Sequence, residues 1–159
     1  MESEKYESII RTISMGEKTR EILFNYCETM STGDYKAEID GDSICSLHAH
    51  VAECYHVWLG NRALGNPYLS IDNKSIQNVK EMREVFTEAD RIVEQFLSEF
   101  NENWDKEIPV TFRNGDQAIF TTLWLYTHTV THEFHHKGQI VKLGRKLGYI
   151  PPDTDLIEK

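Results

Sequence analysis

The sequence predicts an all-α protein, a four-helix bundle formed as one domain over residues 1–159. Three observations lead to this prediction. Four long segments carry apolar residues at helical spacing, breaks rich in turn-forming residues separate them, and almost no segment alternates as a strand does. Four helices in one chain of 159 residues are typical of a bundle around a single core.

Apolar spacing and turn-forming residues set the limits of the first two predicted helices. The first covers residues 6–30 and ends at the stretch 31–34, which reads Ser-Thr-Gly-Asp. The second begins near Asp42 or Ser43, since either side chain can accept a hydrogen bond from a free N–H group of the first turn. It ends at Gly60.

The last two predicted helices follow a long break. The third covers residues 75–100, and the fourth covers residues 116–147 and stops at Gly148. The break at residues 61–74 is long enough to cross the length of a bundle. The break at residues 101–116 is predicted to hold only a small extended turn. Two long helices therefore precede the crossover and two follow it.

Charge and cysteine content limit the classes of protein to which this chain can belong. A formal net charge of -9, with no dense group of lysines and arginines to offset it, argues against nucleic-acid binding. No run of about 18 apolar residues is present, so no membrane span is expected. Cys27, Cys45 and Cys54 form no CxxC pair and indicate free thiols in a reducing compartment. The charged N-terminus does not resemble a signal peptide, and we expect a cytoplasmic protein.

The histidines predict a metal site. Four of the seven lie within residues 128–136. Side chains four residues apart share a helix face, with Cβ atoms roughly 5–6 Å apart, so His132 and His136 can reach one cation. Both lie at the centre of an apolar stripe of the fourth helix, and His50 is predicted to point inward from the second. Three imidazoles from two helices leave coordination positions open, as catalytic metal sites do.

The other histidines and Cys54 can be explained without assigning them as the principal metal ligands. His48 is predicted to lie nearly opposite His50, and His56 is predicted to lie on the polar face of the same helix. His128, one turn before the metal-binding pair, is expected to face a substrate or to support a ligand. Cys54 is either a buried free thiol or, less simply, a soft fourth ligand. His135 is expected at the helix surface.

A second motif points to a different chemistry. Residues 132–136 match H-E-x-x-H, in which the glutamate of a metalloprotease is the general base. The longer metzincin pattern fails, because Gln139 stands where its glycine belongs and Lys142 where its third histidine belongs. An all-helical domain also offers no sheet edge on which to extend a peptide. A protease is therefore the weaker interpretation.

The fourth helix is apolar on two faces. One stripe faces the bundle with the two histidines, and a second lies on the opposite side of the helix. A helix that is apolar on both faces is expected to be buried on both. We therefore predict a homodimer in which the second stripe meets another copy; the stripe consists of Leu123, Val130, Phe134 and Val141.

Nearly the whole chain resembles the DinB/YfiT-like superfamily of bacterial metal-binding four-helix bundles. Residues 50–59 are similar to its second-helix pattern, a histidine followed eight residues later by a tryptophan, and residues 131–140 to its motif ending in His-(Arg/Lys)-Gly-Gln. Residues 148–155 resemble its usual tail. The resemblance implies an up-down-down-up bundle, often dimeric, in which the metal ligands are His50, His132 and His136. Zinc or nickel is the implied metal.

The resemblance also implies an activity. Characterised relatives resemble thiol-dependent enzymes that join a low-molecular-weight thiol, such as bacillithiol or mycothiol, to a small electrophile. We expect such an S-transferase, with Glu53 and His128 as candidate proton acceptors and Trp58, Trp124 and Tyr126 in the pocket or the core. A hydrolase that uses a metal-activated water is one alternative. A stress protein that binds a metal or ligand without turnover is the other.

Overall fold

The computed structural model describes residues 16–155, and within them the chain is mostly helical with one small sheet. This confirms the predicted predominance of helix. The elements, in chain order, are α1, whose described part covers residues 16–28, α2 (Thr32–Lys36), α3 (Ile44–Tyr55), a π-helical continuation of α3 (His56–Ala63), α4 (Val79–Phe100), β1 (Glu107–Thr111), β2 (Gln117–Thr121) and α5 (Thr122–Lys146).

The start of the second predicted helix is confirmed, and its end is wrong. Ser43 and Ser46 form a reciprocal capping box at the start of α3. The helix does not stop at Gly60 but continues with wider turns, so that the N–H of Leu64 bonds to the carbonyl of Leu59 at 3.1 Å. A Cβ on Gly60 would lie 3.3 Å from Cδ1 of Ile92, so this glycine permits close approach of α4.

The start of the fourth predicted helix is also wrong. Residues 117–121 form strand β2, which pairs antiparallel with β1 so that Glu107 lies opposite Thr121. Ile108 and Val110 alternate inward from β1, and Gly115 supplies the positive φ of +89 that the connecting turn requires. Thr121 then caps α5, accepting a hydrogen bond from the N–H of Trp124 at 3.2 Å.

The other two predicted helices differ from the structure mainly at their ends. Helix α4 begins at Val79 rather than at residue 75, because Asn78 accepts the capping hydrogen bond from the N–H of Glu81. Residues 6–15 of the first predicted helix lie outside the described residues. Among residues 16–155, no helix combines the length and the apolar character that a membrane crossing requires.

Helix α3 lies at the centre of the fold. It packs against both α4 and α5, while Phe24 of α1 stacks on its His48 at 5.0 Å. The core between these helices consists of apolar side chains from all four, most of them exposed by less than 5%. This arrangement buries α3 on several sides and leaves the edge between α3 and α5 to form a polar site.

We expect Gly144→Ala to destabilise the protein by about 1–3 kcal/mol, because overpacking forces neighbours to move. A Cβ at this position would lie 2.9 Å from Cζ of Tyr26 and would clash with its hydroxyl oxygen. Denaturant unfolding measures the change. Gly138 is the matched control on the same helix, since a Cβ there meets no atom within 4 Å. Gly138→Ala should be neutral or slightly stabilising; equal losses in both variants would contradict the packing argument.

Candidate metal centre

Three histidines meet where α3 lies beside α5. One nitrogen from each of His50, His132 and His136 lies within 4.8 Å of the other two. The Nε2 atoms of His132 and His136 are 3.2 Å apart, and the ring of His50 lies 4.9 Å from each of the other rings. The three residues proposed from the sequence are thus brought together in a group that can hold one metal ion.

The hydrogen bonds around these rings suit a metal. Nδ1 of His136 lies 2.6 Å from Oε1 of Gln139, and when this nitrogen donates, Nε2 keeps its lone pair. That Nε2 faces Nε2 of His132, so the pair requires a proton or a cation between them. Nδ1 of His132 is buried and has no hydrogen-bond partner within the described chain, so no neighbour there competes for this ring.

Electrostatics favour the neutral imidazoles that metals bind. Burial, followed by the neighbouring rings of His136 and His50, lowers the pKa of His132 to about 4. Burial also lowers the pKa of His136, although its hydrogen bond to Gln139 acts in the opposite direction. Since metal ligation requires deprotonated imidazole, the rings of His132 and His136 do not have to release protons to bind a cation near neutral pH.

The weaker candidates do not belong to this group. The ring of His128 lies 5.7 Å from that of His132, and burial lowers its pKa. The carboxylate of Glu53 accepts a hydrogen bond from the hydroxyl of Tyr68 at 3.0 Å. Cys54 is a buried free thiol that does not belong to the three-nitrogen group, which argues against its being a fourth ligand.

The predicted orientation of the second helix is wrong, because His50, predicted to point inward, is exposed, and His56, predicted to lie on the polar face, is buried. His48 is only 2% exposed, stacks on Phe24 and lies 3.2 Å from the hydroxyl of Tyr35 through Nδ1. Burial lowers its pKa to about 3. His56 is also buried, whereas His50 is exposed. The physical reason is the central position of α3, which has no single polar face, so the metal group lies at the edge of the core.

Glu133 does not lie at the metal group. Its carboxylate accepts from Nε and Nη2 of Arg20 at 2.9 and 2.8 Å and from the hydroxyl of Tyr55 at 2.6 Å, and Nζ of Lys137 is 3.4 Å away. Burial alone would raise its pKa, but Arg20 and then Lys137 outweigh burial and lower it to about 2. A carboxylate whose pKa is about 2 and whose oxygens accept hydrogen bonds from Arg20 and Tyr55 is too weak a base for the role of the glutamate in H-E-x-x-H. The protease interpretation is therefore wrong in its central residue.

This buried ion network was missed by sequence reasoning. Arg20 also pairs with Asp90 of α4, so that its guanidinium joins three helices. The spacing of Glu133 and Lys137, four residues apart, was the only local signal for the network. Gln139 was likewise missed as a hydrogen-bond partner of His136, although it lies one turn further along α5.

We expect Gln139→Ala to weaken metal binding by about 10–100-fold, the usual effect of removing a residue that orients a metal-binding imidazole. The amide accepts from Nδ1 of His136 and also lies 3.3 Å from Nε2 of His135 through its nitrogen. Competition with a chelator of known affinity measures the loss. His135→Ala is the control, and Gln139→Glu should retain most of the affinity because its carboxylate can still accept. An unchanged metal affinity in Gln139→Ala would show that Gln139 does not support metal binding by His136.

Comparison with known proteins agrees with the sequence motifs. No functionally curated protein matches the chain. The DinB family matches residues 6–159, which is nearly all of the sequence. The matched region includes α3 and α5 and therefore the three histidines of the candidate metal centre. The chain belongs to the DinB family.

Proposed function

We propose that this protein is a metal-dependent S-transferase that joins a low-molecular-weight thiol to a small electrophile. The observation that carries the proposal is the group of three histidines, whose nitrogens lie within 4.8 Å of one another beside a solvent-accessible edge. His50, His132 and His136 would hold zinc or nickel, since imidazoles suit either metal. A cation held there supplies the Lewis acidity that keeps a thiol deprotonated at neutral pH.

The side chains around the group have defined tasks in this reaction. Gln139 holds the ring of His136 in the tautomer that presents Nε2. The thiolate sulfur attacks the electrophilic carbon, a carbon–sulfur bond forms, and the leaving group departs with its bonding electron pair. His128 or Glu53 accepts the proton that the thiol loses. His128 is suited to this task because burial keeps its ring neutral, with one nitrogen able to accept.

The first experiment uses protein purified without a His-tag and loaded with zinc or nickel. Conjugation of cysteine, bacillithiol or mycothiol to monobromobimane is followed by fluorescence against the uncatalysed rate. His136→Ala should abolish the acceleration, while His135→Ala should retain it. No acceleration with any of these thiols would overturn the proposal. Thiol-independent hydrolysis of a nitrophenyl ester would instead identify a hydrolase, and metal binding without either reaction would identify a binding protein.

The proposal extends to the fold topology and to the assembly. We take α1, α3, α4 and α5 as a four-helix bundle in up-down-down-up order, with residues 64–78 as the crossover; an experimental structure tests this. We also take the active form to be a homodimer through the second apolar stripe of α5. Leu123 in this stripe is 49% exposed, whereas Val130 and Phe134 are half-buried and line a cavity with Arg20 and Asp90. Solution scattering should give the mass of two chains, and Phe134→Glu should give one.

We assign the protein to the cytoplasm. Cys27, Cys45 and Cys54 are free and buried, and a reducing compartment preserves such thiols. Cytoplasmic location also gives access to the low-molecular-weight thiols that the reaction requires. Fractionation of the native host, with detection by antibody, tests this assignment; recovery from an exported fraction would contradict it.

A further inference from the structure

A stack of aromatic rings leads from the sheet to the three histidines. The rings of Phe120 and Trp124 lie 4.0 Å apart with planes 20° from parallel, and those of Trp124 and His128 lie 5.1 Å apart with planes 5° from parallel. The ring of His128 is then 5.7 Å from that of His132. These residues recur every fourth position, so they share one face of α5 and its entry from β2. The stack therefore has no gap before the candidate metal centre.

Two further rings lie against this stack. Trp58, from the π-helical segment, lies 4.9 Å from His128 and 5.9 Å from Trp124, at 71° and 66° to their planes. Phe112, just after β1, contacts both Trp58 and Phe120 at 6.3 Å. We call the set Phe112, Phe120, Trp124, His128 and Trp58 the aromatic wall. It is assembled from the hairpin, the π-helical segment and α5.

The exposure of the wall differs from that of the aromatic core. Phe86, Phe96 and Phe100 are at most 2% exposed, and Tyr126 stacks on Phe96 at 6.2 Å. Trp124 in the wall is 41% exposed, although its ring belongs to a continuous aromatic set. Ligand pockets are lined by apolar and aromatic side chains next to a few convergent polar groups. The wall beside three imidazoles has this composition.

We infer that the aromatic wall binds a planar aromatic group of the electrophile and so makes aromatic electrophiles the preferred substrates. This inference rests on the proposed S-transfer. Because the wall's rings stack face to face along α5, they turn their electropositive edges outward, and edges pack favourably on the face of another ring. From Trp124 to His128 the helix rises about 6 Å. The ring centroid of Phe120 lies a further 4.0 Å from that of Trp124, so the wall is long enough for one or two fused rings. An aromatic group seated there lies next to His132.

Binding can be tested without turnover. The probe is 2,4-dinitrotoluene, a planar ring with no leaving group, added to the zinc-loaded full-length protein while the three indole N–H signals are followed by NMR. Trp58 and Trp124 should shift saturably. Trp104 is the internal control, because its indole nitrogen is buried and its ring packs against Phe96 and Tyr126. The absence of a saturable shift at Trp58 and Trp124, or an equal shift at Trp104, would overturn the inference.

Variants connect the binding site to substrate choice. Trp124→Ala should weaken binding of 2,4-dinitrotoluene about 5–10-fold, the range expected for loss of an aromatic contact. Trp124→Leu, which retains apolar volume, should weaken it as well, and Ile22→Ala, an exposed apolar control on α1, should not. An affinity equal to that of wild type in both Trp124 variants would overturn the inference.

The Trp124→Ala variant also distinguishes the role of the wall in substrate binding from the S-transfer reaction itself. With 1-chloro-2,4-dinitrobenzene as the aromatic substrate, the thiolate forms the carbon–sulfur bond as chloride leaves. For this compound, Trp124→Ala should lower kcat/KM at least 5-fold. With iodoacetamide, which has no ring for the wall to hold, the same substitution should lower kcat/KM by a clearly smaller factor. Saturable probe binding without conjugation of either compound would refute the S-transfer and leave the wall as a binding site. Conjugation with equal losses for both compounds would refute the wall and leave the S-transfer.

Discussion

Replacing His136 with alanine is expected to remove the metal. Wild-type protein should carry close to one zinc or nickel ion per chain by mass spectrometry, and the variant close to none. Removing a ligand should weaken binding by more than the roughly 100-fold upper range for supporting residues. His50→Ala should behave alike, although His50 is exposed and contributes little to the core. His136 lies at the edge of the core and His50 is exposed, so their loss affects packing differently. Equal loss of metal in both variants therefore indicates that the two residues bind the same ion.

The control for both variants is His135→Ala. His135 is exposed and adjacent in sequence to His136, yet it does not belong to the three-nitrogen group. Thermal unfolding gives a second readout, because a ligand at 100 times its Kd stabilises the native state by about 2.7 kcal/mol. Added zinc should raise the Tm of wild type and His135→Ala but not of His136→Ala. Full metal content in His136→Ala and His50→Ala would refute the site.

The local parts of the candidate site could be predicted from sequence. His132 and His136 are four residues apart on one helix, and the period of the helix places them together without any tertiary information. To predict His50 as the third ligand, the orientation of a second helix had to be known. The family resemblance indicated this ligand better than apolar periodicity did. The periodicity of α3 predicted an inward His50 and a polar-face His56, and both are wrong, because a helix packed against α1, α4 and α5 has little polar surface from which to infer a direction.

The parts that sequence reasoning missed depend on distant contacts. Strand β2 exists because residues 117–121 pair with residues 107–111 across a turn, and the isolated segment also fits the start of a helix. The bond between Arg20 and Glu133 joins residues 113 positions apart in the chain. No local pattern identifies such a pair. The same limit applies to the aromatic wall, in which Trp58 meets α5 only after α3 and α5 have packed.

Replacing Glu133 with glutamine is expected to destabilise the protein by about 3–5 kcal/mol, the usual loss when one member of a buried ion pair is removed. Glutamine has nearly the same shape, so packing is retained, but Arg20 and Lys137 are left as buried cations with an uncharged neighbour. Asp90 compensates only in part, because its side chain is 36% exposed while that of Arg20 is 9% exposed. The Tm should fall by about 10 °C or more.

The control is the exposed pair of Arg91 and Glu88, whose side chains are 65% and 57% exposed. Glu88→Gln should change the free energy of unfolding by less than about 1 kcal/mol, because solvent screens such pairs. The two substitutions make the same chemical change on α4 and α5. Equal effects would show that the buried network contributes no more than a surface pair.

The dependence on pH gives an independent test of the network. The pKa of Glu133 is lowered from 4.5 to about 2 in the folded protein: burial opposes the shift, and Arg20 and then Lys137 produce it. A carboxyl with a depressed folded pKa stabilises the native state fully above its unfolded pKa, and this contribution is lost as pH falls toward the folded value. Wild type should therefore exceed Glu133→Gln in stability by a constant amount above about pH 5, and the difference should shrink between about pH 4 and pH 2. Urea unfolding of both proteins across this range measures it. A difference that stays constant down to pH 2 would mean that the ionised carboxylate is not the source of the stability.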